Sequence, residues 1–131
     1  MLALTGCGIL ATACSTATDE PLGGPLIAEV AASTPREALQ GIAQGAARCW
    51  NEGALERYAT IPELDTEAGR PRILLIERDG SSTLPALVIE AGASPTSLRT
   101  FGPLSRGPLS GRINSDIIRW STGGRGCGEN G

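Results

Sequence analysis

Three carboxylates, Glu63, Asp65 and Glu67, alternate along one short stretch, and two guanidinium groups, Arg70 and Arg72, follow on either side of Pro71. Such groups could hold a cation, serve as a general acid and base, or grip an anion through paired hydrogen bonds. The stretch lacks the spacing of an EF-hand loop, and an acidic loop of this kind is expected to be solvated rather than catalytic. Arg70 and Arg72 are the candidate contacts for a ligand or partner. The plainer reading makes them solvating charges at the end of a strand. The chain has no His, and all 11 of its cations are Arg, so Lys is absent too. Without either residue the serines lack their usual base, Schiff-base chemistry is excluded, and the commonest metal ligand is missing. The expectation is a protein that is not an enzyme and needs neither metal nor cofactor.

The elements that must position these groups are legible on each side of them. Thr34-Pro35-Arg36-Glu37 combines an N-cap Thr, a Pro at the first helical position and a Glu three residues after the cap, a capping box. Leu39, Ile42, Ala46 and Cys49/Trp50 follow at helical spacing, which predicts a helix from about Pro35 to Trp50, stopped by Asn51-Glu52-Gly53. Gly41 and Gly45 form a G-x-x-x-G step, expected to pack closely on a sheet. Ala54 to Leu64 alternates weakly and is expected to be an edge strand, because Pro62 is tolerated only there. Arg72 to Arg78 and Leu84 to Ala91 read as strands around the loop Asp79-Gly80-Ser81-Ser82, and Ser97 to Phe101 as another. Leu109 to Ser121 predicts a second helix with Leu109, Ile113, Ile117 and Trp120 on its apolar face and Arg112, Asp116 and Arg119 facing water. Trp50 and Trp120 are expected in the core. The order implies an α+β two-layer sandwich, helix, three- or four-stranded antiparallel sheet, helix. Ile73-Leu74-Leu75-Ile76 and Leu87-Val88-Ile89 place apolar side chains on both faces of that sheet. Two helices cover only one face. The other must meet the loop between Asn51 and Arg70, the apolar patch Leu26 to Val30, a second copy, or a partner protein.

The N-terminus carries a different message. Met1 to Ala13 is uncharged and runs into Cys14-Ser15-Thr16. As a helix it would rise about 20 Å, against about 30 Å of bilayer hydrocarbon, a length suited to the apolar core of a signal peptide. Leu4-Thr5-Gly6-Cys7 and Ala11-Thr12-Ala13-Cys14 resemble the signal of bacterial lipoproteins, an aliphatic residue and two small ones before the acylated cysteine. The first match is closer to that pattern, since Ala11 replaces the usual Leu. Position favours Cys14 over the alternative Cys7: cleavage there uses the whole apolar run and begins the mature chain on polar residues. The stretch departs from secretory signals in having no Lys or Arg ahead of it, the first cation being Arg36; a buried N-terminal element of a cytosolic protein is the competing reading. Gly6-Cys7-Gly8-Ile9-Leu10-Ala11 also fits a dinucleotide-binding pattern, but only five residues stand before it here, no acidic partner sits at the expected distance in a second strand, and the match is treated as chance.

The resemblance, which covers only about the first sixteen residues, implies a signal peptide at residues 1–13; composition and element pattern then read 14–33 as a flexible tether and 34–131 as one α+β domain. The same resemblance implies a chain anchored to a membrane through its acylated cysteine, in the bacterial cell envelope, with the domain in the periplasm or outside the cytoplasmic membrane. If Cys7 leaves with the signal and Cys14 takes the lipid, Cys49 and Cys127 remain as an even pair in an oxidising compartment, and a disulfide is expected between them. Free thiols in a cytosolic chain, or metal ligands, are the alternatives. A net charge of −3 argues against nucleic acid and supplies no basic patch for anionic lipid. The expected role is a non-enzymatic interaction or structural domain with an envelope protein partner. The alternative is a small-ligand-binding domain that uses the uncovered sheet face with Arg70 and Arg72.

Overall fold

A computed structural model of the chain describes residues 23–32, 34–65 and 69–128. The signal segment 1–13, Cys7, Cys14, and Glu67 of the acidic loop lie outside the described residues.

The fold is α+β: two helices on one face of an antiparallel sheet. The first strand, β1, is Ile27–Glu29; helix α1 is Pro35–Cys49; β2 is Tyr58–Glu63, β3 Arg72–Glu77, β4 Leu87–Gly92 and β5 Ser97–Phe101; helix α2 is Ser110–Ser121. The sheet order is β1-β5-β4-β3-β2, every neighbour antiparallel. Short connections between β2, β3, β4 and β5 favour this meander. The sheet therefore has five strands rather than three or four. The extra one comes from the Leu26–Val30 patch within the stretch expected to be tether. It is held by hydrogen bonds that no local pattern announces. Leu26 N–H donates to Thr100 Oγ1 at 2.8 Å, Gly24 N–H to Ser110 Oγ at 2.8 Å, and Asn114 Nδ2 to the Gly24 carbonyl at 2.9 Å.

Helix α1 starts where its capping box predicts. Thr34 Oγ1 accepts from the Glu37 amide at 3.0 Å, and Pro35 opens the first turn. Ala38, Leu39, Ile42, Ala46 and Cys49 form its buried stripe. The Gly41 and Gly45 step corrects the expected packing: it faces α2, not the sheet. A Cβ on Gly41 would sit 2.4 Å from the Trp120 carbonyl oxygen, and one on Gly45 2.0 Å from the Trp120 ring. Only glycine lets the two helices approach this closely. Strand β2 is an edge strand, with Pro62 on it, as expected. Leu84 stays outside β4, exposed in the connection from β3. That connection turns at Gly80, whose φ of +75° suits glycine. Asp79 Oδ1 accepts from the Ser81 amide at 2.8 Å. This bond, the largest influence, holds the Asp79 carboxyl below its ordinary range.

The core lies between the helices and one sheet face. Ile73, Leu75, Leu87, Ile89, Ala91 and Leu98 meet Leu39, Ile42, Ile113 and Ile117 there. Both tryptophans are buried in it, their ring centroids 5.3 Å apart and the planes tilted by 56°.

Candidate functional site

Cys49 and Cys127 form a disulfide, with a Cα–Cα distance of 5.3 Å across a sequence separation of 78. It fastens the tail after α2 to the end of α1. Side chains reinforce it. Trp120 Nε1 donates to the Gly126 carbonyl at 2.8 Å, Arg119 Nε to the same oxygen at 3.2 Å, and an Arg48 nitrogen to the Arg125 carbonyl at 3.0 Å.

Asp116 overturns one expectation. Placed on the water-facing side of α2 by its spacing from Arg112 and Arg119, it is only 2% exposed. Its Oδ2 accepts from Trp50 Nε1 at 2.8 Å and lies 3.7 Å from Arg112 Nε, while Oδ1 pairs with Arg119. A buried indole N–H needs an acceptor, and two tryptophans on apolar faces were the signal that one polar group had to turn inward. Through Trp50, Arg112 and Arg119 the cluster joins α1, α2 and the tail.

Of the acidic stretch, the described carboxylates Glu63 and Asp65 take different partners. Glu63 Oε1 pairs with Arg72 Nε at 2.7 Å, whereas Asp65 pairs with Arg36 at the start of α1. Among the described residues no group of three or more His, Cys, Asp or Glu could hold a metal ion. Arg70 lies over Gly92, where a Cβ would come 2.8 Å from its guanidinium. Among the described residues, neither Arg70 nor Arg72 lines any of four surface clefts of about 170 to 330 Å³.

What these arginines do share is the sheet face away from the helices. Cross-strand partners in an antiparallel sheet point the same way, so the register reads directly as rows on that face. One row is Glu63, Arg72, Glu90 and Arg99, from β2 through β3 and β4 to β5. Two residues along the strands lies a second row, Ile61, Leu74, Val88 and Phe101, and beyond it Ala59 pairs with Ile76. The charges alternate in sign. Besides the Glu63–Arg72 pair, Arg99 approaches Glu90 at 3.5 Å, and its guanidinium carbon stands 5.0 Å from the centre of the Phe101 ring. Ile61 is 37% and Phe101 38% exposed, with Leu74, Ile76 and Val88 half-buried between them.

Of the described candidate covers, only the end of the loop reaches this face, where Arg70 lies over Gly92 at its margin. The Leu26–Val30 patch extends the sheet edge instead. In the loop after α1, Leu55 is buried in the helix-side core, and Asp65 turns to α1. Arg72 had been singled out from sequence. Glu90, Arg99 and Phe101 had not, because their alignment depends on four strands in register.

No family model, curated protein or solved structure matches the chain. Among the described residues, no helix is long and apolar enough to cross a membrane.

Proposed function

We propose that this chain is a cell-envelope lipoprotein, anchored through acylated Cys14, whose small α+β domain works as a non-enzymatic protein-interaction module on the outer side of the cytoplasmic membrane. The observation that carries the reading is the Cys49–Cys127 disulfide. Structural disulfides belong to oxidising compartments and are rare in the reducing cytosol. The uncharged run ending at Cys14 supplies the means of export and attachment. Two or more acyl chains hold stably, because each buried CH₂ contributes about 0.8 kcal/mol. The open sheet face supports a protein partner over a small ligand, since it is a surface of two rows rather than an enclosed cavity.

Intact mass of the membrane-fraction protein, with and without reductant, tests the proposal. The expected result is loss of the first 13 residues, added acyl mass retained by a Cys7→Ser variant but lost with Cys14→Ser, and a mass increase on reduction of the remaining pair. A full-length, unacylated, soluble product with both thiols open to alkylation would overturn it.

A further inference from the structure

We infer that the open sheet face pairs with the same face of a second copy of this chain, the two related by a two-fold axis parallel to the strands. The inference deepens the reading of that face as an interaction surface; it does not depend on the acyl anchor.

The argument rests on the sign pattern of the charged row. From β2 to β5 it runs acid, base, acid, base: Glu63, Arg72, Glu90, Arg99. Reversed, it runs base, acid, base, acid. A two-fold axis lying between the sheets along the strand direction sets β2 over the copy's β5 and β3 over its β4. It leaves each residue at its own height along the strand. Glu63 then faces the copy's Arg99 and Arg72 its Glu90, at all four positions of the row and in both directions. Like-charge contacts are absent from this arrangement within the row. A uniformly acidic or basic partner would meet half of the row with its own sign, at a cost.

The same rotation superposes the apolar rows. Ile61 meets Phe101 of the copy, and Leu74 meets Val88. An isologous contact demands this self-complementarity, a patch that matches itself after rotation. Aligned packing of two sheets about 10 Å apart gives the apolar row room to interdigitate. The charged row borders the apolar rows, where partial hydration lowers the desolvation cost of its ions. Strand β1 falls outside the matched four strands and overhangs the edge of the copy's β2.

Magnitude sets the expected strength. Four strands at about 4.8 Å and six residues at about 3.3 Å give a patch roughly 20 Å on a side. That is about 400 Å² per copy, below the standard size of a specific interface, so the dimer is weak and strongly dependent on concentration. Confinement of anchored copies to one membrane raises their effective concentration.

A charge swap tests the geometry, read by sedimentation equilibrium of the full-length chain in density-matched detergent from micromolar to millimolar concentration. Wild type is expected to dimerise. Glu63→Arg alone or Arg99→Glu alone places like charges opposite each other at two points and weakens dimerisation by at least about tenfold, a cost on the order of 1.4 kcal/mol. The double variant, Glu63→Arg with Arg99→Glu, restores opposite charges between copies and returns dimerisation to within a few-fold of wild type. Within each copy, the double variant still breaks both the Glu63–Arg72 and Glu90–Arg99 pairs, so a purely structural role for these residues predicts no recovery. Circular dichroism and intact disulfide mass confirm that each variant is folded. A monomeric wild type at every concentration, single variants that dimerise normally, or a double variant no better than the singles would each overturn the pairing. The acyl mass on Cys14 is read separately, and its absence would leave this result standing.

Discussion

The two faces of the sheet are built from alternate residues of the same strands, yet they end in different environments. Ile73, Leu75, Leu87 and Ile89 are all at most 1% exposed beneath the helices. Leu74, Ile76 and Val88, their immediate neighbours, are comparable in size and polarity but remain half-buried on the opposite face, in rows with Ile61 and Phe101. Residue type alone does not separate them. What separates them is which face α1 and α2 cover. The covered face is apolar across its strands, apart from the Thr60 and Thr100 hydroxyls and the end residues. The open face sets a row of four alternating charges beside its apolar row. That is the difference between a core, which needs only volume and apolarity, and a surface that must remain soluble while discriminating among partners.

The largest expected effect comes from the clamp behind the covered face. Replacing Cys127 with Ser opens a loop of 78 residues and should cost about 4 kcal/mol in denaturant unfolding. The indole of Trp120, hydrogen-bonded to the tail at Gly126, should report release of the tail by fluorescence. A loss below about 1 kcal/mol would mean that the Trp120, Arg119 and Arg48 hydrogen bonds hold the tail without the disulfide.

The faces can be compared directly at two adjacent positions of β4. Ile89→Ala should destabilise the fold by about 3 kcal/mol, since it leaves a cavity in a packed core. Val88→Ala should cost less than about 1 kcal/mol in the isolated chain, while weakening self-association. Equal destabilisation by the two would show that some segment already covers the open face within one copy.

The smallest effect belongs to the hairpin loop that joins β3 to β4. Folding lowers the Asp79 carboxyl below its unfolded value through the Ser81 amide. Its contribution is therefore complete above the unfolded value, near pH 4, and fades as pH falls through the folded one. Asp79→Ala should be slightly less stable than wild type at pH 6, with the difference closing toward pH 3. A difference that persists unchanged in acid would assign the effect to the turn backbone instead.

Local chemistry announced much of this fold. The capping box places the start of α1, Pro62 puts β2 at an edge, and the apolar stripes pick out the core residues of both helices. Four other features depended on longer-range contacts. Strand β1 is three residues long and has too little periodicity to be distinguished from a tether. Its place comes from Thr100, Ser110 and Asn114, more than 70 residues away in sequence. Asp116 was expected in water because it is charged, yet it stands three residues from Ile113 and four from Trp120, at the edge of the apolar stripe, and only Trp50 on another element gives its buried carboxylate a donor. Gly41 and Gly45 carry a close-approach signal without naming the neighbour. Arg72 looked like a free anchor until Glu63 was brought beside it.

By itself, the sequence determined where α1 begins, that β2 is an edge strand, and which helical side chains are apolar enough to bury, because each of these depends on residues within a few turns. Only the tertiary structure decided that Glu63, Arg72, Glu90 and Arg99 form one row with alternating sign. A sheet register shifted by a single residue would send each of those charges to the opposite face. That register is set by packing the covered face against α1 and α2, so the pattern on the open face is a consequence of the core behind it.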